Sequence, residues 1–383
     1  MLLGGILPPL ARERMIESDW RCSWGVLMRI QLFATLALIG CAAYAQEKPA
    51  PKPHDMNGQM DHTQHGGFMQ GGMPHATAKG VKLDAKTDAA THTITLRIGP
   101  MTLPASTSHM KMAQPPDLVW TIANSGWLLA YHTKLVDAAG GAVPGAVLHH
   151  VAFWNENRSD FLCPNKDEHI FGAGGELTDW AQVPGYGYQV QKGDRIRIET
   201  MIHNPTPSAY PQAYLEVSIP YLDDASPSPV KNFYPAWMDV GSCGNSGYDL
   251  PAGLSKKVGT VPVKYDGVLL GVGGHMHDYA KELLLQDSRN KEPVANLVAK
   301  TDEHGRLLSM PVVMFFERGG YALAAGDKLE ITASYDNTSG KQLREGAMGI
   351  VVGYFVPKDV GALVGLRHEA RARGEMEGMS HDQ

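Results

Sequence analysis

Apolar and polar residues alternate along much of the chain in short runs of period two, the pattern of strands with one buried face. Thr91-His92-Thr93-Ile94-Thr95-Leu96-Arg97-Ile98 is one such run, with His92 facing solvent. A second, Asp194 to His203, carries Ile196, Ile198 and Ile202 on one face and stops at Asn204-Pro205. Other runs are more continuously apolar, as buried strands are. These are Trp127 to Val136, Val147 to Trp154, Gly267 to Gly274 and Gly349 to Phe355. Lys256 to Val263, Leu283 to Gln286 and Lys328 to Ser334 complete the strand set. Helical spacing is scarce, and Val360 to Arg373 is the best candidate. Short Val-, Ile- and Thr-rich runs among 42 glycines and 25 prolines predict an all-β protein with many turns.

The runs fall into two groups, predicting one β domain over residues 90–222 and a second over 233–357. Between them, 223–232 includes the linker-like Asp223-Asp224-Ala225-Ser226-Pro227-Ser228-Pro229. No short fixed repeat is present, which excludes solenoids and propellers. With 383 residues, 43% of them hydrophobic and 19% charged, the chain can bury two cores. A formal net charge of -6, without a basic patch interleaved with aromatics, argues against a nucleic-acid partner.

Both ends carry other signals. Residues 1–45 read as an export segment, with Met28-Arg29, the apolar Ile30 to Ile39, and Ala43-Tyr44-Ala45 before Gln46. The expected location is periplasmic or secreted. Leu38-Ile39-Gly40-Cys41 also resembles a lipobox, which would anchor the chain by a lipid on Cys41. Residues 46–89 read as a disordered linker holding His54, Met56, Met60, His62, His65, Met69, Met73 and His75. The tail 358–383, with the candidate helix, adds His368, Met376, Met379 and His381. Such tracts suit capture of Cu(I) and Cu(II), or are plain spacers. After cleavage only Cys163 and Cys243 would remain, as one disulfide or two buried thiols.

Candidate chemistry sits at strand ends. In Gly273-Gly274-His275-Met276-His277-Asp278-Tyr279, residues i and i+2 of a strand share a face, so His275 and His277 can converge on one ion. Met348, before the strand Gly349 to Phe355, offers a thioether, a soft donor that suits Cu(I); taken alone, it reads first as core filler. His149-His150 are adjacent and normally face opposite ways, so one metal takes both only where the strand bends or bulges. His203, ending a strand of the same domain, is the natural third donor. Three imidazoles suit Cu(II) or zinc, whereas a thioether tilts a site to Cu(I).

The order His-His, His, His-x-His, then Met on a closing strand resembles the copper type II, ascorbate-dependent monooxygenases. These are the peptidylglycine α-hydroxylating and dopamine β-monooxygenases and their bacterial relatives. Leu148-His149-His150-Val151 and Val272-Gly273-Gly274-His275-Met276-His277 look like the two ligand strands. Ala325 to Ile331 with Tyr335-Asp336-Asn337-Thr338 looks like the strand and turn before the family's Met. The resemblance implies two tandem jelly-roll-like β-sandwich domains facing each other across a solvent-filled cleft, with two mononuclear copper sites. His149, His150 and His203 would hold an electron-storing copper. His275, His277 and Met348 would hold the catalytic copper that meets O2 and substrate. Ascorbate or a similar reductant would supply electrons to hydroxylate a C–H bond of a small or peptidic molecule.

Departures from that pattern bear on the substrate. Gly273 stands where the peptide enzyme has an Arg for the substrate carboxylate, and Ile350 and Val352 replace polar residues after the Met. Peptide amidation is therefore not expected. Two other readings remain: a non-enzymatic copper store or resistance protein on the same fold, and a zinc hydrolase, against which Met348 speaks.

Overall fold

In the structure, a computed structural model, residues 80–107, 114–226, 230–364 and 366 are described. The export segment with Cys41, the Met/His-rich leader as far as residue 79, and the tail from 367 lie outside the described residues. So does most of the helix expected over 360–373. Of its described residues, 360–364 form turns.

The described residues are all-β: strands joined by turns, with short 3-10 turns at Gly145–Val147 and Phe316–Arg318. In the first half, Thr93–Leu103 pairs with Lys82–Asp88 and with Tyr210–Asp223 in a nine-stranded sheet. Packed on it is a four-stranded sheet ordered Leu118–Thr121, Arg195–Ile202, Leu148–Ser159, Asp167–Ala173. Leu96, Ile98, Leu215 and Val217 from the larger sheet meet Val151, Phe153, Ile196 and Ile198 from the smaller in one core. The second half repeats the plan. Tyr234–Asp239, Ile350–Pro357, Gly267–His275 and Val313–Met314 form one sheet; Gly253–Pro262, Lys328–Asn337, Ala280–Asp287 and Pro293–Val298 form the other. Leu269, Val272 and Val351 pack there against Leu283, Leu285, Leu297 and Ile331.

Two expectations are corrected. Lys82–Asp88 is a strand, although it falls in the stretch 46–89 expected to be disordered. All seven of its residues pair with Thr93–Leu103, but it is an edge strand with mostly exposed side chains, so no apolar alternation marks it. The run Trp127 to Val136 is two strands, Gly126–Leu128 and Tyr131–Asp137, which share Tyr210–Asp223 as one neighbour but pair on the other side with Tyr186–Val190 and with Asp179–Trp180 respectively.

The halves interlock. Phe161 of the first half lies in the second core, and Leu270 and Tyr354 of the second lie in the first. Cys163 and Cys243 are disulfide-bonded, with Cα atoms 5.6 Å apart and a sequence separation of 80. Beside the bridge, Lys166 Nζ donates to Gly244 O (2.8 Å) and Lys264 Nζ to Leu162 O (3.2 Å). A loop of that length restricts the unfolded chain by about 4–5 kcal/mol in the chain-entropy model. The double variant C163S/C243S is expected to lose several kcal/mol in reversible denaturation, as is the reduced native protein. A loss below about 1 kcal/mol would contradict a structural role for the bridge.

Candidate metal centre

The His149-His150 pair depends on a slip in the strand ladder. Leu148–Ser159 pairs with Arg195–Ile202, with His150 opposite Met201 but Leu148 opposite Ile202. His149 is therefore the extra residue of a β-bulge. A regular strand would turn the two rings to opposite faces; here their Nδ1 atoms lie 2.9 Å apart. The neighbouring strand runs out one residue before His203, whose N–H donates to Val147 O (3.2 Å). The same slip thus brings His203 alongside, its ring centre 6.0 Å from that of His149. Alternation in Arg195–Ile202 also stops here: Glu199 to Ile202 are all buried, because both faces are covered near the site.

The second donor group is built around one hydroxyl. His275 closes the strand Gly267–His275 opposite Ile350, and His277 follows in the loop. The buried Tyr335 Oη accepts the N–H of His277 (3.0 Å) and the N–H of Met348 (3.1 Å) and donates to Met348 O. Burial pushes this hydroxyl far above the usual tyrosine range, so it keeps the proton it donates. The Met348 backbone is thereby fixed beside that of His277, and its side chain is fully buried.

The two histidine sets do not stand apart. His149 lies 4.9 Å from His150 and 5.0 Å from His277 between ring centres, His275 lies 5.4 Å from His277, and His150 lies 6.2 Å from His275. The solvent-filled cleft implied by the resemblance is closed. Trp180 of the first half packs on Tyr354 (5.2 Å between ring centres), and a Cβ placed on Gly273 would come within 3.1 Å of the Trp180 indole.

All six expected donors thus fall in one region, five as a continuous chain of imidazoles. Imidazoles bound to one ion through nitrogens about 2.0–2.1 Å from it have ring centres roughly 5–6 Å apart, so these rings have suitable spacing. Among the described residues, no three His, Cys, Asp or Glu groups already converge on one point, so binding requires rotation of the rings. The donor set fits copper by type, five clustered imidazoles and a buried methionine whose backbone is tied to that of His277 through Tyr335. His275 also keeps a buried Nε2 without a hydrogen-bond partner. If copper binds, these six residues would hold it.

Several residues of the site escaped the sequence reading. Tyr335 figured only within the stretch resembling the family's strand and turn, without a role of its own. Glu176, in the turn after Asp167–Ala173, places Oε1 2.5 Å from His275 Nδ1. His169 lies between Trp154 and Trp237 (ring centres 4.4 and 3.7 Å), and burial, aided by the charge of Arg197, holds it well below the ordinary histidine range. Glu176, His169, His150, His275, Trp237 and Val352 line a cavity of about 30 Å³. No local motif marks Tyr335, Glu176 or His169, because their partners are distant in sequence.

No family model matches the chain. In sequence it is similar to "Probable copper-dependent oxygenase clz3" of Cochliobolus lunatus, 28% identical over 231 residues, covering 55% of this chain and 72% of that protein. It is also similar to "Probable copper-dependent oxygenase M1" of Phoma sp., 28% identical over 235 residues, covering 55% of this chain and 58% of that one. The alignment thus spans little more than half of this chain and of the second relative. Among solved structures, the major capsid protein P2 of bacteriophage PM2 matches with a TM-score of 0.31 and 10% identity, covering 68% of this chain and 97% of that one, which carries no argument. The chain is distantly related to fungal proteins named as copper-dependent oxygenases.

Tyr335→Phe removes the shared hydroxyl and strands two buried N–H groups. It is expected to cost about 1–3 kcal/mol per stranded group and to weaken Cu(I) binding, read by denaturation and by chelator competition. Unchanged stability and affinity would contradict the clamp.

Proposed function

We propose that this protein is a copper-dependent monooxygenase that hydroxylates a C–H bond with O2 and an ascorbate-type reductant. The observation that carries the reading is the gathering of His149, His150, His203, His275 and His277 in one imidazole cluster, with the Met348 backbone clamped to that of His277. The distant kinship to proteins named as copper-dependent oxygenases supports it. Copper, when bound, supplies electron transfer and O2 activation, with two electrons from the reductant leaving one oxygen atom in the product and the other in water. In this reading His149, His150 and His203 bind the electron-storing ion, and His275, His277 and Met348 bind the ion at which chemistry occurs. The bulge orients the first set, and the Tyr335 hydroxyl orients the second. Gly273, Ile350 and Val352 provide no cation to grip a carboxylate, so the substrate is recognised by shape and apolar contact. The export segment would place this chemistry outside the cytoplasm.

One observation favours a second reading, copper storage or delivery without turnover. The cavity beside His275, about 30 Å³, holds a molecule the size of water rather than an organic substrate. Oxygenation would then require the halves to part. Copper-loaded protein is expected to consume O2 on addition of ascorbate, and Met348→Ile to lower Cu(I) affinity at one site about tenfold or more. His203→Ala should slow reoxidation yet keep the second copper. Stoichiometric copper without ascorbate-driven O2 uptake would select storage, and loss of both coppers from H203A would end the two-role assignment.

A further inference from the structure

The turn Gly174–Leu177 belongs to the first half yet is fastened to both donor sets. Gly175 N–H donates to Leu148 O (3.0 Å), next to His149. A Cβ on Gly175 would lie 2.7 Å from Gly145 O, so the turn sits tightly against the entry to that strand. On its other side, Glu176 O accepts the N–H of Met310 in the second half (3.1 Å). The Glu176 side chain, 6% exposed, then reaches His275. Its carboxylate folds back over Gly174, where a Cβ would collide with Glu176 Oε2.

We propose that Glu176 is a positioning residue of the candidate copper site, fixing the tautomer and orientation of His275 from the opposite half of the molecule. A carboxylate only accepts, so His275 Nδ1 carries the hydrogen and donates it to Glu176 Oε1. Nε2 is then the nitrogen with the lone pair, and it is the buried atom without a hydrogen-bond partner. A carboxylate behind a ligating imidazole raises its basicity and holds its ring plane. The backbone bonds of the turn add a coupling: movement of the His149-His150 strand pulls on Glu176 and so on His275. In the closed arrangement seen here, the orientation of His275 is therefore set by a residue of the first half. This deepens the copper reading and rests on it.

The test uses the full chain, wild type against E176A, E176Q and G174A, in two arms. In the metal-free arm, nitrogen-15 NMR of the histidine rings is expected to show His275 with its hydrogen on Nδ1 in wild type. That preference should be lost in E176A, kept in part by E176Q, whose amide oxygen still accepts, and disturbed in G174A, where the new methyl displaces an intact carboxylate. In the copper arm, anaerobic Cu(I) competition should show one site weakened 10–100-fold in E176A, the other unchanged, and E176Q intermediate. Wild-type protein that takes up no copper overturns the proposal together with the reading beneath it. Wild-type copper binding with E176A identical in tautomer and affinity overturns the proposal alone. So does an oxygen donor in the wild-type copper spectrum that vanishes in E176A, because Glu176 would then be a ligand. Thermal unfolding of the metal-free variants separates these results from misfolding, and G174A and E176Q carry the test if E176A does not fold.

Discussion

The site depends on a one-residue slip in a β ladder. Neighbouring side chains on a strand point to opposite faces, and a buried strand in a sandwich has no spare face for a polar pair. The bulge at His149 lifts that constraint at one point. It puts His149 and His150 into mutual contact and ends the partner strand with His203 alongside. The His149 ring also lies 5.0 Å between centres from that of His277 in the second half. Without the slip, one of the pair would enter the first core among Val151, Phe153 and Ile198, and the imidazole chain would be cut.

Rigid supports hold that geometry. On one side is the Tyr335 hydroxyl, locked by burial and three backbone groups; on the other is the Gly174–Leu177 turn, bonded to both halves. The disulfide and the exchange of Phe161, Leu270 and Tyr354 between cores keep the halves together. The backbone around the rings is thus fixed by hydrogen bonds from both halves, the kind of rigid surround that a binding site needs.

Much of this was legible in the sequence, for physical reasons. Strand runs such as Gly267 to Gly274 showed because burial imposes apolar continuity, and Asp194 to His203 because one-sided burial imposes alternation. The six candidate donors stood out because metal binding would restrict residue type and spacing, and the structure brings five of their rings together. Lys82–Asp88 stayed hidden because an exposed edge strand is held by backbone pairing, which writes nothing into side chains. Glu176, Tyr335 and His169 stayed hidden because each acts on partners far away in sequence: Glu176 on His275, Tyr335 on Met348, His169 on Trp237. The closed arrangement of the halves was equally invisible, since it rests on Trp180 meeting Gly273 and Tyr354.

The proposed reading assigns the copper to the folded strands and not to the Met/His-rich leader. It is tested most directly by metal analysis with EPR on protein beginning at Gly80. Retention of two copper ions per chain, with imidazole nitrogen hyperfine structure in the oxidised state, is the predicted result. A truncated protein that folds but retains no copper would contradict it.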